Sequence, residues 1–223
     1  LGHTVTPLTG SLVPLRADGC AELQGLSLRN VGLTVYENGK KIYTDFGELL
    51  FTHFGVSGPL VLSASTYIED IAKHRYICEL DLKPALDEKT LYDRLTRDFA
   101  EQGAHSVQGA LAKLLPNSMR PVAVEKWGVD PATRAAQITK EQKQALVQLC
   151  KHWQVPVTAL GDKEHAVVTA GGVDVKEVAP KTMASKLCSG LYFAGEVLDV
   201  DARTGGYNLQ IAWSTAQAAV RAM

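Results

Sequence analysis

The sequence predicts an α+β chain in several parts, and three stretches of alternating hydrophobic period predict that class. From about residue 5 to residue 82 short apolar runs alternate with Gly, Asn and Pro, in SLVPL, LSLRNVGLTVYENGKKIYTD, VLSAS and YICELDL, the pattern of strands. Between about 87 and 153 the period becomes helical: Leu91, Leu95 and Phe99 share one face, Val107, Leu111 and Leu114-Leu115 another, and Leu146, Leu149 and Cys150 a third. After Pro156 strand patterns return, in AVVTAGGV and in a closing strand-loop-helix. A helical block between strand-rich stretches reads as an inserted subdomain, with linkers near Lys83-Pro84 and Val155-Pro156.

Each element has its own local reason. Leu33-Thr34-Val35-Tyr36 and Lys41-Ile42-Tyr43-Thr44 flank Asn38-Gly39, the dipeptide that a tight hairpin turn favours. Pro116, Pro121, Pro131 and Pro156 punctuate the helical block as boundaries. Thr139, with Gln142 three residues on, is a capping box that starts a helix.

Composition narrows the function classes. The 223 residues are 46% hydrophobic, enough for a sizeable core in one or two domains. A net charge of -1 supplies no field for nucleic acid or an anionic membrane, so neither is expected as a partner, and small molecules are. Cys20, Cys78, Cys150 and Cys188 lack C-x-x-C spacing, which suits reduced thiols in a cytoplasmic protein. The six histidines form no i, i+4 pair and no cluster with cysteine, so no metal is expected. Lys and Arg in the helical block are nearly balanced by Asp and Glu, which again argues against nucleic acid.

The most informative stretch is GLYFAGEVLDVDARTGGYNLQIAWSTAQAAVRAM, residues 190–223. Leu191, Tyr192, Phe193 and Ala194 read as a buried strand that ends at Gly195-Glu196, where a carboxylate is delivered beside a turn. Gly205-Gly206 then opens a helix whose Ala212, Ala216 and Ala219 form a small-residue face suited to close packing on a sheet. Glycines at a helix start let a ligand approach the backbone, and the free N–H groups there favour negative charge. A reduced flavin carries such charge, and Glu196 suits a ribityl or ribose hydroxyl. Ordinary α/β packing produces the same strand, glycine loop and helix, with Asp199 and Asp201 as solvated loop carboxylates.

The wording of the motifs is more specific. GGVDVKEVAPKTMASKLCSGLYFAGEVLDVDARTGGYNLQIAWSTAQAA (residues 171–219) resembles the carboxyl-terminal flavin-binding signature of the BaiN/YhiN-type NAD(P)/FAD-dependent oxidoreductases. GELLFTHFGVSGPLVLSAS (47–65) and LGHTVTPLTGSLVPL (1–15) resemble two further signatures of that family, in the same order. Ala202-Arg203 before Thr204-Gly205-Gly206, and Ala184 after Thr182-Met183, depart from its pattern. The G-x-G-x-x-G turn that cradles the FAD pyrophosphate in the family is absent from these residues, and the chain begins at Leu1, so the resemblance implies the carboxyl-terminal half of a flavoprotein.

The resemblance implies an architecture: a small β-barrel-like domain carrying an inserted helical bundle, followed by the carboxyl-terminal strand-loop-helix of a Rossmann-like FAD-binding domain. Residues 1–14 would be a strand segment leading from the FAD domain, 15–84 the barrel, 85–156 the helical subdomain, 157–170 a return strand of the barrel, and 171–223 the last part of the FAD domain. It also implies an FAD-dependent NAD(P)H oxidoreductase of a small-molecule acceptor, inactive as the isolated piece. Gly195, Glu196, Gly205, Gly206, Tyr207 and Asn208 would hold the cofactor. In THFGVSGP, His53 and Ser57 are substrate-side candidates, or parts of an internally bonded glycine turn. No residue is assigned as general acid. The alternative class is a non-catalytic barrel and helical binding module without a cofactor.

Overall fold

The computed structural model describes residues 1–69 and 71–223, apart from the side chain of Lys163; Asp70, within the expected barrel segment 15–84, lies outside the described residues. Along the chain come β1 (Val5–Ser11), β2 (Leu15–Ala17), β3 (Ser27–Glu37), β4 (Lys40–Thr52), β5 (Gly55–Ser57), α1 (Pro59–Ser65) and β6 (Tyr76–Asp81). Then follow α2 (Glu88–Glu101), α3 (Val107–Ala110), α4 (Met119–Trp127), α5 (Lys140–Lys151), β7 (Trp153–Leu160), β8 (Val168–Val173) and α6 (Tyr207–Ala222). Two compact units divide the chain: one contains residues 16–60 and 70–158, the other residues 1–15, 61–69 and 159–223.

In the first unit the strands close into a barrel of order β2-β5-β4-β3-β6-β7. The hairpin β3–β4 turns at Asn38-Gly39, with φ of 50° and 85°, and Glu37 pairs with Lys40. Two positive φ values define the turn whose twist matches the strands, which is why Asn-Gly was readable. Strands β6 and β7 alternate strictly, with Tyr76, Cys78, Leu80, Trp153, Val155 and Val157 buried. Gly58, φ 94°, lies so close to β4 that a Cβ would come within 3.1 Å of Glu48 O.

The helices interrupt the barrel between β6 and β7, two neighbouring antiparallel strands in which Leu80 pairs with Trp153. Their base is stitched by Leu82 N–H donating to Cys150 O at 2.9 Å and by Lys151 Nζ, which ion-pairs with Asp81 and donates to Leu86 O. Leu91, Leu95, Phe99, Val107, Leu111, Leu114 and Leu115 are buried as their spacing predicts. In α5, Val147 is buried with Leu146 and Cys150, while Leu149 is only half-buried. The Thr139–Gln142 capping box is present in both directions.

Several elements differ from expectation. VLSAS is helix α1, opened by Pro59 in its first turn, and at its end the Ser65 and Thr66 hydroxyls return to carbonyls three residues back. Pro156 is not a helix boundary: it pairs with Ile77 inside β7, while Pro121 sits in the first turn of α4. The expected return strand 157–170 divides, β7 closing the barrel and β8 pairing with β1. Residues 191–194 form no strand; Tyr192 makes only an isolated bridge to Ala184. The alanine face of α6 meets a sheet only at its edge: Ala219 joins Val173 at the end of β8, with Val178, Met183 and Leu198, in a small cluster, and Ala216 is exposed.

No helix among the described residues is long and apolar enough to cross a membrane. Cys20, Cys78 and Cys150 are buried free thiols and Cys188 is half-buried.

Candidate functional site

The second unit contains the antiparallel pair β1–β8 and α6, which packs against the turn at Gly195–Val197. The N-terminal end of α6 is opened by Gly205 and Gly206, at φ 115° and 86°, and no side chain caps it. The first N–H groups of a 16-residue helix are therefore available to an acceptor from outside. A Cβ on Gly206 would meet nothing within 4 Å, so the glycine leaves space that the protein itself does not use.

That space belongs to a cleft of about 410 Å³. Its walls are mostly apolar, from Leu12, Val167, Val168, Val200, Leu209 and Ile211, with Thr169, Glu196, Arg203, Thr204 and Asn208 as the polar part of the lining. Leu12 holds φ 55°, a strained value for a leucine, at the cleft wall. Such a pocket, apolar with a few convergent polar groups, is of the size that binds a small ligand or cofactor.

Of the expected cofactor residues, Gly195, Glu196, Gly205, Gly206 and Asn208 line this one cleft, and Tyr207 stands exposed beside it. Several of them also have partners within the chain. Gly195, φ 75°, donates its N–H to Thr215 Oγ1 at 2.9 Å and serves the turn. Glu196 accepts the Thr169 N–H through Oε1, which leaves its other oxygen with acceptor capacity. The Asn208 side chain is occupied: Oδ1 accepts from Ala202 N–H and Nδ2 donates to Ala202 O, both at 2.8 Å. Asp199 and Asp201 are not merely solvated, since they accept the hydroxyls of Thr6 and Ser11 and so fasten β1 to the loop.

Residues missed from sequence complete the loop. Thr204 meets Ser63 at 2.9 Å, and Arg203 donates to Tyr67 Oη at 3.0 Å. These partners lie 136 or more residues apart, and no local spacing signals them. His53 and Ser57 belong to the barrel unit. His53 is exposed in the two-residue turn between β4 and β5, edge-on to Phe54 at 5.0 Å, and Ser57 pairs with Leu50 in β5. No hydrogen bond joins the two. Among the described residues no group of His, Cys, Asp or Glu could hold a metal ion.

The family model "HI0933-like protein barrel and H2TH domain" matches residues 9–168. The chain belongs to the HI0933-like family. Ribosomal RNA dihydrouridine synthase of Haemophilus influenzae is 36% identical over 221 residues, 97% of this chain and 52% of that protein. The Escherichia coli protein of the same name is 35% identical with the same coverage. The 3-dehydro-bile acid delta(4,6)-reductase of Clostridium scindens is 28% identical over 228 residues, all of this chain and 55% of that protein. The chain thus spans about half the length of the curated relatives it matches.

The cleft fits a planar cofactor with an anionic edge: glycine in place of side chains, an uncapped helix start, apolar walls and one carboxylate at the rim.

Proposed function

We propose that this chain is the carboxyl-terminal half of a flavoprotein reductase that saturates a carbon–carbon double bond conjugated to a carbonyl, in a cytoplasmic setting. The uncapped, glycine-opened start of α6 facing an apolar cleft carries the reading. Dihydrouridine is uridine with its base saturated at C5–C6, and a delta(4,6)-reduction saturates bonds conjugated to a 3-oxo group, so the relatives' names share one reaction class. FAD supplies the hydride relay from NAD(P)H to such an acceptor.

The chain's own residues bind and orient. The backbone donors at Gly206, Tyr207 and Asn208 would hold an anionic edge of the cofactor, and Glu196 would accept one of its hydroxyls. Asn208, Thr204 and Arg203 hold the loop, and Leu12, Val200 and Leu209 exclude water. A Rossmann-like domain completed by residues 171–223 supplies the rest of the cofactor site. His53 and Ser57 remain substrate-side candidates.

Two acceptors compete. A uracil base in RNA is favoured by the two relatives at 36% and 35% identity. A small-molecule enone without nucleic acid is favoured by the balanced charge and by the bile-acid relative. The full-length protein, purified and assayed anaerobically, is expected to carry FAD that NADH or NADPH bleaches, and to be reoxidised by an RNA oligonucleotide yielding dihydrouracil or by a 3-oxo-4,6-diene. A flavin-free full-length protein overturns the reading.

A further inference from the structure

In the barrel unit, where the helical insert leaves the barrel, lies a groove of about 600 Å³ that the flavin reading does not use. Leu82, Pro84, Ala85 and Leu86 give it an apolar floor, and Asn30 and Arg94 stand on its sides. Phe46 lines it and is 57% exposed, an aromatic ring spread on the surface of β4. A smaller pocket of about 110 Å³, with Arg29, Leu115 and Met119, shares Asn30, Leu82 and Lys83 with it, so the two make one track.

The cations are the second observation. Lys83 is half-buried in both pockets, and among the described residues no acceptor lies on its ammonium. Burial, and then the Arg94 guanidinium, hold its pKa below the ordinary value. The nearby carboxylates are already used: Asp81 takes the Lys83 N–H and ion-pairs with Lys151, Asp45 takes the Phe46 N–H, and Asp98 lies 3.5 Å from Arg94 Nε. Arg94 is fixed by donating to Lys113 O at 2.7 Å, and Arg29 is exposed at the far end. A desolvated ammonium without a counter-charge attracts an anion, and a bare aromatic face next to it takes a planar ring.

We propose that this groove docks single-stranded RNA, one base stacking on Phe46 while flanking phosphates lie against Lys83, Arg94 and Arg29. Alternation of aromatic face and fixed cations is how sequence-tolerant single-strand sites are built. The proposal rests on the uracil-in-RNA reading above, and it departs from the expectation, drawn from net charge, that nucleic acid is no partner. Net charge averages over the whole surface, whereas this track concentrates three cations along one groove.

The test is equilibrium binding of a fluorescein-labelled twelve-residue oligouridylate to the full-length protein at low salt. Phe46→Ala is expected to weaken binding about tenfold with the salt dependence unchanged. Lys83→Gln is expected to weaken it and to reduce the slope of log affinity against log salt by about 0.7. Phe46 is exposed, and among the described residues the half-buried Lys83 ammonium has no hydrogen-bond acceptor to lose, so an unchanged thermal midpoint is expected for each variant. No binding by the wild type, or equal binding by Phe46→Ala as for a simple polyanion or acidic-peptide site, overturns the proposal. The reductase reading fails separately: a full-length protein that does not reduce uracil, with the variant pattern intact, removes the reaction and leaves the groove, and uracil reduction with unaltered binding by both variants removes the groove alone.

Discussion

Asn208 grips Ala202 by both of its backbone polar groups, donating to the carbonyl and accepting from the N–H, each at 2.8 Å. One side chain in the first turn of α6 thereby imitates a neighbouring strand and fixes the loop that leads into Gly205-Gly206.

Asn208→Ala removes both bonds, each worth about 1 kcal/mol. The loop is expected to loosen first and the cleft with it. Amide hydrogen exchange at residues 202–204 should accelerate while the barrel strands keep their protection, and full-length protein should retain less flavin. Unchanged exchange there contradicts the positioning role.

Glu196→Ala and Asp201→Ala should separate binding from stability. Loss of the Glu196 acceptor is expected to lower FAD affinity in the full-length protein about tenfold or more. Asp201→Ala, which frees the Ser11 hydroxyl on β1, should instead lower unfolding stability by about 1–2 kcal/mol with a smaller effect on flavin. Flavin titration and urea denaturation of both variants check the split.

Gly206→Val places a branched residue at φ 86°, which costs about 1 kcal/mol or more, and directs carbon into the cleft. Displacing the cofactor from the helix start weakens stabilisation of its reduced anion. The expected result is an emptied site or a lowered flavin reduction potential, with the barrel still folded. Full occupancy at an unchanged potential would show that the glycine serves the turn alone.

The buried thiols set an alkaline limit. Burial pushes Cys78 and Cys150 up to about 12, from an ordinary 9.0. Below pH 9 both native and unfolded chains keep these protons, and the stability is fully present. Between about 9 and 12 the unfolded chain releases them and the native chain does not, so stability falls as pH rises, by up to about 1.4 kcal/mol per pH unit for each thiol. Urea midpoints at pH 8 and pH 10.5 should differ less in Cys78→Ala than in the wild type; an equal difference refutes the assignment.

The parts legible in sequence are those set by neighbouring residues. Asn38-Gly39 defines its turn by two backbone angles, and Thr139 with Gln142 defines a helix start within four residues. The alternation in YICELDL survives as a strand because one face meets the barrel core. Short apolar runs fail this test: VLSAS and LYFA have too few residues for a period to declare itself, and one became a helix while the other became irregular. The cleft's glycines were legible because a backbone requirement restricts the residue type. The work of Asn208, Asp199 and Asp201 was not, since their hydrogen-bond partners are chosen by tertiary placement rather than by spacing.

The splice of α2 to α5 between adjacent strands has a kinetic meaning. Leu80 and Trp153 cannot pair until the whole intervening chain is folded back, and for a floppy loop of about 70 residues that closure is entropically slow. Helices form from local contacts, so the insert can condense early and bring its own two ends together at the Asp81–Lys151 clasp. The last seam of the barrel is then closed by a preassembled hinge pin rather than by a diffusive search, and weakening that clasp should slow refolding more than it speeds unfolding.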